Sequence, residues 1–264
     1  MAIAVDTTSN SATASWSHTC TGANLILIVA VRANASGAST SCTYNGVGMT
    51  QLSARPYNSS NAHLVTFYLL NPATGANTIT ATTGSPDYGC AVSYTGVAGI
   101  DSSGNSASNQ NNDTASGSVT TVADNSRAIM TVGQGGGATQ TAGASTTKRI
   151  ASATSDINAI FDPNANKTPA GAVTLISTFT SGVNAWQTFS IKPSITYTEN
   201  ISDSIALTES VSWGNKISEL ITMVTVNFEN VSDSIGMTDT IQTFNRLWKN
   251  LVKSVTTWTN QDKS

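Results

Sequence analysis

Two histidines, a scatter of aspartates and abundant serine are what the chain offers for acid–base or nucleophilic chemistry. His18 follows Trp16 in "SWSHT", and His63 opens "HLVTFYLL". Neither belongs to an H-E-x-x-H motif or a Cys/His cluster, the spacings that bring several ligands onto one metal. Both read as polar residues at strand ends. Serine never occurs in a G-x-S-x-G elbow. Asp87, Asp101, Asp124 and Asp162 sit in turn-like settings, where Asp bonds to nearby backbone, and not as the facing carboxylate pair that glycoside hydrolysis needs. "GQGGGATQTAG" (133–143) carries a G-x-G-x-x-A pattern without the strand–helix context of a dinucleotide site, so it reads as a flexible loop. From Asp162, "DPNANKT" spaces Asp162, Asn164 and Asn166 like the first ligands of an EF-hand. Lys167 stands where that loop needs Gly and Val173 where it needs Glu, which leaves only a calcium site of another kind open. These residues point to a protein with no enzymatic activity and no cofactor.

Side chains of this kind must be positioned by strands. The 264 residues carry a formal net charge of −3, and only 10% are charged, against a usual ~25%. Lys and Arg are scattered, so nucleic acid is not an expected partner. Solubility rests on Ser, Thr, Asn and Gly, a composition of strands and tight turns. The longest apolar run, Leu25 to Val31, suits a buried strand and falls short of the ~20 residues of a membrane helix. The opening "MAIAVDTTSNS" lacks the basic and apolar regions of a secretory signal. Cys20, Cys42 and Cys90 read as small buried hydrophobes of a reducing compartment, with a Cys20–Cys42 bridge as the alternative.

Up to about Pro193 the chain alternates strand and turn. "LILIVAVRAN", "AHLVTFYLL", "GCAVSYTGV", "RAIMTVGQ" and "NAWQTFSIKPS" are strand candidates, several with the alternation of a strand buried on one face. In "AHLVTFYLL", Leu64, Thr66, Tyr68 and Leu70 face one way, and Val65, Phe67 and Leu69 the other. Asn45-Gly46, Thr74-Gly75 and Thr95-Gly96 mark turns. With no convincing helix over this stretch, the expected architecture is a sandwich or barrel.

The ordered set "SWSHT…NLILIVAVR…TSCTYNGVGMTQL…HLVTFYLLNPATGANTITAT…AVSYTGV…AWQTFSIKP" resembles a β-sandwich domain widespread in phage structural proteins and bacterial surface proteins. The resemblance covers about 190 residues and rests on turns and core strands. It implies an all-β, jelly-roll-like antiparallel β-sandwich over residues 1–194 and carries no catalytic residue with it.

Beyond it, "ENISDSIALTESVSWGN" (199–215) recurs as "ENVSDSIGMTDTIQTFN" (229–245), eight of seventeen positions being identical. Ile201, Ile205, Leu207, Val211 and Trp213 alternate as in a strand, and Ile235 repeats Ile205. A 30-residue unit present twice, spanning 195–243, is too narrow to bury itself. In 244–264, Phe244, Leu247, Trp248 and Leu251 fall at helical spacing, which predicts a short terminal amphipathic helix. The pattern W-x-N-x-x-K-S occurs at Trp248 and again at Trp258. A short tail cannot cover two tryptophans, so these residues are expected to dock against other copies of the chain, most simply in a homotrimer. The repeats and the ending also resemble predicted phage structural proteins. The expected role is a non-enzymatic virion protein, assembled in the host cytoplasm, of the capsid-decoration or head-fibre type, with a tail or fibre component second. Its partners would be other virion proteins and, at its outer surface, a host glycan; no membrane insertion is expected. The alternative is a carbohydrate-binding or adhesive module of a bacterial surface, able to form filaments. A solvent-exposed cluster drawn from Tyr57, Tyr68, Tyr88 and Tyr94 would mark that case.

Overall fold

The computed structural model describes residues 2–33, 40–57, 62–82, 89–153, 157–180 and 182–194. The chain divides into two units, Met1–Thr198 and Glu199–Ser264, and the second lies wholly outside the described residues.

Seventeen strands are found among the described residues of the first unit. The first nine are β1 (Ala4–Ser11), β2 (Ser15–Cys20), β3 (Ile26–Ala33), β4 (Ser41–Tyr44), β5 (Val47–Gly48), β6 (Thr50–Pro56), β7 (His63–Leu70), β8 (Gly75–Thr82) and β9 (Gly89–Thr95). The other eight are β10 (Val97–Asn111), β11 (Thr114–Thr120), β12 (Arg127–Gln134), β13 (Thr141–Ala142), β14 (Thr147–Ala151), β15 (Asn158–Asp162), β16 (Ala172–Thr178) and β17 (Val183–Pro193). Asn45 and Gly46, both at positive φ (52° and 76°), form the tight turn between β4 and β5, where a two-residue hairpin needs left-handed backbone at both positions.

The antiparallel β-sandwich expected from the sequence is present, but residues 1–194 hold two rolls in tandem where one was expected. β1–β9 form a sheet ordered β1-β9-β3-β7-β6 and a second ordered β2-β8-β4-β5. β10–β17 form β10-β17-β12-β15-β14 and β11-β16-β13. Replacing β1, β2, β3, β4, β6, β7, β8 and β9 by β10 to β17 in order converts the first pair of sheets into the second, apart from the two-residue β5. All named strand pairings are antiparallel.

The four sheets stack as four layers with three cores between them. One core lies inside the first roll (Trp16, Leu27, Val29, Phe67, Ile79) and one inside the second (Val119, Met130, Phe161, Leu175, Trp186). The third joins the five-stranded sheets of the two rolls through Ile26, Ile28, Leu64 and Val92 on one side and Ile129, Ile160, Phe189 and Ile191 on the other. Inner strands are therefore covered on both faces and read as continuous apolar runs. β3 is buried at all but one position, and β12 at every position. Outer strands alternate, as in β2 with Trp16, His18 and Cys20 inward and Ser15, Ser17 and Thr19 exposed. The alternation in β7 thus separates two cores: Leu64 and Tyr68 belong to the seam between the rolls, and Val65, Phe67 and Leu69 to the first roll.

Across this seam each contact has a counterpart. β1 meets β14 as β10 meets β6; β9 meets β14 as β17 meets β6; β3 meets β15 as β12 meets β7. That is the self-complementary pattern of a two-fold interface, here within one chain. Asn10 Nδ2 donates to the Ala151 carbonyl at 2.7 Å, where β1 and β14 both end, so corresponding strand ends of the two rolls lie at the same pole. The loops β1–β2, β3–β4, β6–β7 and β8–β9 and their four counterparts all leave from strand ends at this loop pole. At the other pole Ser194, the last described residue, donates its N–H to the Gly96 carbonyl at 2.8 Å.

Both rolls close on a tryptophan seated over a glycine, but with the roles exchanged. In the first, Trp16 of β2 covers Gly89 of β9; in the second, Trp186 of β17 covers Gly117 of β11. A Cβ on Gly89 would lie 2.5 Å from the Trp16 ring, and one on Gly117 would lie 2.9 Å from the Trp186 ring.

Candidate functional site

The residues with chemical potential gather in three places. The first is the seam near the tail pole. Asp162, at the end of β15, is fully buried. Arg149 of β14 grips its carboxylate with two parallel bonds, Nε to Oδ2 at 2.9 Å and Nη2 to Oδ1 at 2.8 Å. Tyr94 of β9 donates its hydroxyl to Oδ2 at 3.0 Å, and the Arg127 guanidinium stands 3.6 Å from Oδ2 and 5.8 Å from the centre of the Tyr94 ring. The calcium-like spacing of Asp162, Asn164 and Asn166 has its explanation here. Asn164 Oδ1 accepts from Arg149 Nη2, and Asn166 Oδ1 accepts from Arg127 Nε at 3.0 Å. Acceptors at alternate positions converge on two guanidinium cations, so these three side chains serve an ion-pair cluster. Burial pushes the Tyr94 phenol well above its ordinary value, and the neighbouring Asp162 charge pushes the same way. Burial opposes the charge on Arg149, but the bonds to Asp162 outweigh it and raise its pKa. Tyr94 belongs to the first roll and its partners to the second, so the cluster fixes the two rolls in register.

The second place is the corner between β1, β2 and β9. His18 is 1% exposed and lies inside β2, not at a strand end. His63 does open β7, but it too is buried. Ser93 Oγ donates to Asp6 Oδ2 at 2.7 Å, and Thr7 Oγ1 donates to the Thr19 carbonyl. With both hydroxyl protons committed, His18 Nε2–H donates to Ser93 and Thr7, at 3.1 and 3.2 Å. Nδ1 then accepts from Ser9 Oγ at 2.8 Å, which itself accepts from Trp16 Nε1 at 3.0 Å. Asp, Ser and His are therefore in contact but in the wrong order for nucleophilic catalysis. Serine lies between the carboxylate and the imidazole, its proton goes to the carboxylate, and it is buried. Burial lowers the His18 pKa to about 4, although the Asp6 charge works against this shift. Burial also raises the Asp6 pKa, but hydrogen bonds from Thr21 and Ser93 outweigh it and leave the carboxyl below its ordinary value.

Comparison with protein-family models, with curated proteins and with solved structures finds no match to this chain.

The third place is the loop-pole end of the seam, where Arg32, Arg55 and Tyr57 meet the second roll. Arg32 and Arg55 are both paired in register with Leu64, from its two sides. Side chains directly opposite share a face, and Leu64 belongs to the seam core, so both guanidiniums start from the seam face. The Tyr57 ring is buried there, about where a Cβ on Gly133 of β12 would stand 3.0 Å from it. Burial pushes the Tyr57 phenol above its ordinary value; the positive charge of Arg32 partly offsets this. The glycine-rich stretch after β12 begins at this wall.

Of the aromatics that would form an exposed platform, Tyr57 and Tyr94 are buried and Tyr68 packs against the seam core; Tyr88 lies outside the described residues. Trp16 and Trp186 are core residues. Cys20, Cys42 and Cys90 are free and buried. Cys20 is paired with Gly75 and Cys42 with Ala81, about 20 Å apart along β8, too far for a bridge. Among the described residues, no group of three or more His, Cys, Asp or Glu is placed to hold a metal ion. The docking residues Ile201, Ile205, Leu207, Val211, Trp213, Ile235, Phe244, Leu247, Trp248, Leu251 and Trp258 all lie outside the described residues.

Proposed function

We propose that this chain is a non-enzymatic structural protein of a phage particle, of the capsid-decoration or head-fibre type, held by its C-terminal segment and presenting the loop pole outward. The observation that carries this reading is the polarity of the double roll. Eight loops leave from strand ends at one pole, and the last described residue, Ser194, lies at the other. A protein that must be attached at one end and display a surface at the other needs this separation. A single-roll protein would offer half as many loops per attachment. The resemblance of the sandwich and of the repeats to phage structural proteins supports the same reading.

In this reading residues from about 195 to 264 join three copies, with Trp248 and Trp258 as anchors. A tryptophan buries ~150–250 Å² when covered. The test is the mass of three proteins by light scattering at micromolar concentration: the full chain, a fragment ending at Ser194, and Trp248→Ala/Trp258→Ala. A trimer, a folded monomer and a monomer are expected in that order. A monomeric full chain, or a double variant that assembles unchanged, refutes the interface. Mass spectrometry of purified particles from the source phage tests the location, and a particle lacking this chain refutes it.

A further inference from the structure

We infer that the seam is a coded docking interface, in which each jelly roll takes the opposite roll, from its own chain or from another copy, and rejects its own kind. The argument begins with register. In the first roll Tyr94 lies between Val5 and Ile26; in the second Ile191 lies between Ile100 and Arg127. Tyr94 and Ile191 are therefore counterparts, and so are Ile26 and Arg127. Even the irregularity of one edge repeats. The pairing of β6 with β7 slips at Leu52, and that of β14 with β15 slips at Arg149, as a bulge does. Counting back from each slip matches Tyr68, opposite Thr50, with Asp162, opposite Thr147.

A two-fold seam provides every contact position twice, once on each side of its axis. On one side Tyr94 donates its hydroxyl to Asp162 at 3.0 Å. Arg149 holds the same carboxylate, and Arg127 stands 5.8 Å from the centre of the Tyr94 ring. The other side has the counterparts Ile191, Tyr68, Leu52 and Ile26, all part of the apolar seam core. A second position repeats the division. Thr66 and Thr131, both fully buried, meet across the seam at 2.8 Å. Thr66 is paired with Ala30, and Thr131 with Ile160. The counterpart position therefore holds Ala30 and Ile160, again residues of the seam core. At both positions one side is a polar match and the other an apolar one.

That division tells the rolls apart. Two first rolls would set Tyr94 against Tyr68, Leu52 and Ile26 on both sides, and Thr66 against Ala30. Two second rolls would set Ile191 against the Asp162–Arg149 pair, and Thr131 against Ile160. Like pairs thus bury hydroxyls opposite apolar side chains, whereas the opposite pair gives each hydroxyl its partner. The strand framework is common to all three pairings, so side-chain matching decides among them. The covalent link does not enter this code. β9 ends at Thr95 and β10 begins at Val97, so Gly96 alone joins the rolls, and its effect on pairing is to raise their local concentration. A roll from a second copy meets the same side chains.

The test uses the full chain with a protease recognition sequence inserted between Gly96 and Val97. After cleavage the rolls should stay bound at micromolar concentration, and thermal unfolding should become dependent on protein concentration, as in a two-chain complex. Cut protein grown with and without heavy nitrogen is then mixed in moderate urea, diluted and weighed by native mass spectrometry. The first-roll fragment carries none of the C-terminal segment, so its partners report the seam alone. Labelled first rolls should be found on unlabelled second rolls, and pairs of first rolls should be rarer by about 100-fold, since each unpaired buried hydroxyl is worth about tenfold. Halves that separate on cleavage, or first-roll pairs in comparable amount, overturn the inference. The uncut chain gives a readout that does not depend on the insertion. Thr66→Val and Thr131→Val should each lower the folded-to-unfolded ratio about tenfold in urea, and the double variant should be no worse than either. Losses that add overturn the match across the seam.

Discussion

His18 should make the double roll sensitive to mild acid, and the size of the effect follows from its surroundings. The unfolded chain has an ordinary imidazole, near pH 6.5, whereas burial among Ser9, Thr7 and Ser93 lowers the folded value to about 4. As the pH falls through 6.5 the unfolded state takes up a proton that the folded state refuses. Stability is therefore fully present above 6.5, is lost progressively down to about 4, and levels off below it, as far as this residue is concerned. At about 1.4 kcal/mol per pH unit the whole window is worth ~3 kcal/mol, and the part between pH 7 and 4.5 about 2 kcal/mol. Asp6 adds a separate loss at lower pH, because its carboxyl is held below its ordinary value when folded. The perturbation that isolates the histidine is His18→Gln, whose amide can both donate and accept in the same network without titrating. Urea unfolding of both proteins at pH 7 and pH 4.5 should show the wild type losing about 2 kcal/mol more than the variant over that interval. If the two lose stability in parallel, the buried neutral imidazole with its donor at Nε2 is the wrong description of this corner.

Two further perturbations test the packing and the seam. Gly89→Ala and Gly117→Ala each press a methyl group against a tryptophan ring and should each cost about 1–3 kcal/mol in urea unfolding; two neutral substitutions would remove the exchanged knob-and-hole description. Asp162→Asn leaves the buried guanidinium of Arg127 and the half-buried one of Arg149 without their shared counter-charge and should cost about 3–5 kcal/mol, measured by the same method. A loss under about 1 kcal/mol would show that the cluster contributes little to joining the rolls.

The sandwich was legible in the sequence because its signals are local. Asn45-Gly46 announces a hairpin whatever surrounds it, and the inward residues of β2 alternate because water covers the other side of that sheet. The second roll was not legible as a repeat. Its strands share order with those of the first but little sequence, since a jelly roll asks only for apolar residues at the inward positions. β7 shows the limit of periodicity: strict alternation is equally right for a strand between water and a core and for a strand between two cores, which is where it lies. Charge is hard to read from sequence for a related reason. Asp162, Asn164 and Asn166 advertise a cation at their spacing, but whether that cation is a metal or a guanidinium depends on Arg127 and Arg149, brought in from other strands. His18 looked peripheral because strand ends cannot be placed without knowing where the β1–β2 corner folds over.

The exchanged tryptophans bear on how the two rolls came to share one chain. A pair of identical rolls packed about a two-fold axis would repeat every side-chain contact. Here the strand pairing and the seam contacts repeat, while the tryptophan has moved from the second strand in one roll to the last strand in the other. Both solutions fill the same space between the same two strands, because a large ring over a glycine occupies similar volume whichever strand supplies it. The backbone therefore constrains the space, and the sequence is free to fill it from either side. The seam allows less freedom. An ion pair needs its partner in place, and Tyr94 of the first roll serves Asp162 of the second, a contact that identical subunits would have to make twice and that this chain makes once. Once two rolls are covalently joined, each end of the seam can specialise. The tail-pole end does so with an internal carboxylate that serves two guanidiniums and the Tyr94 hydroxyl.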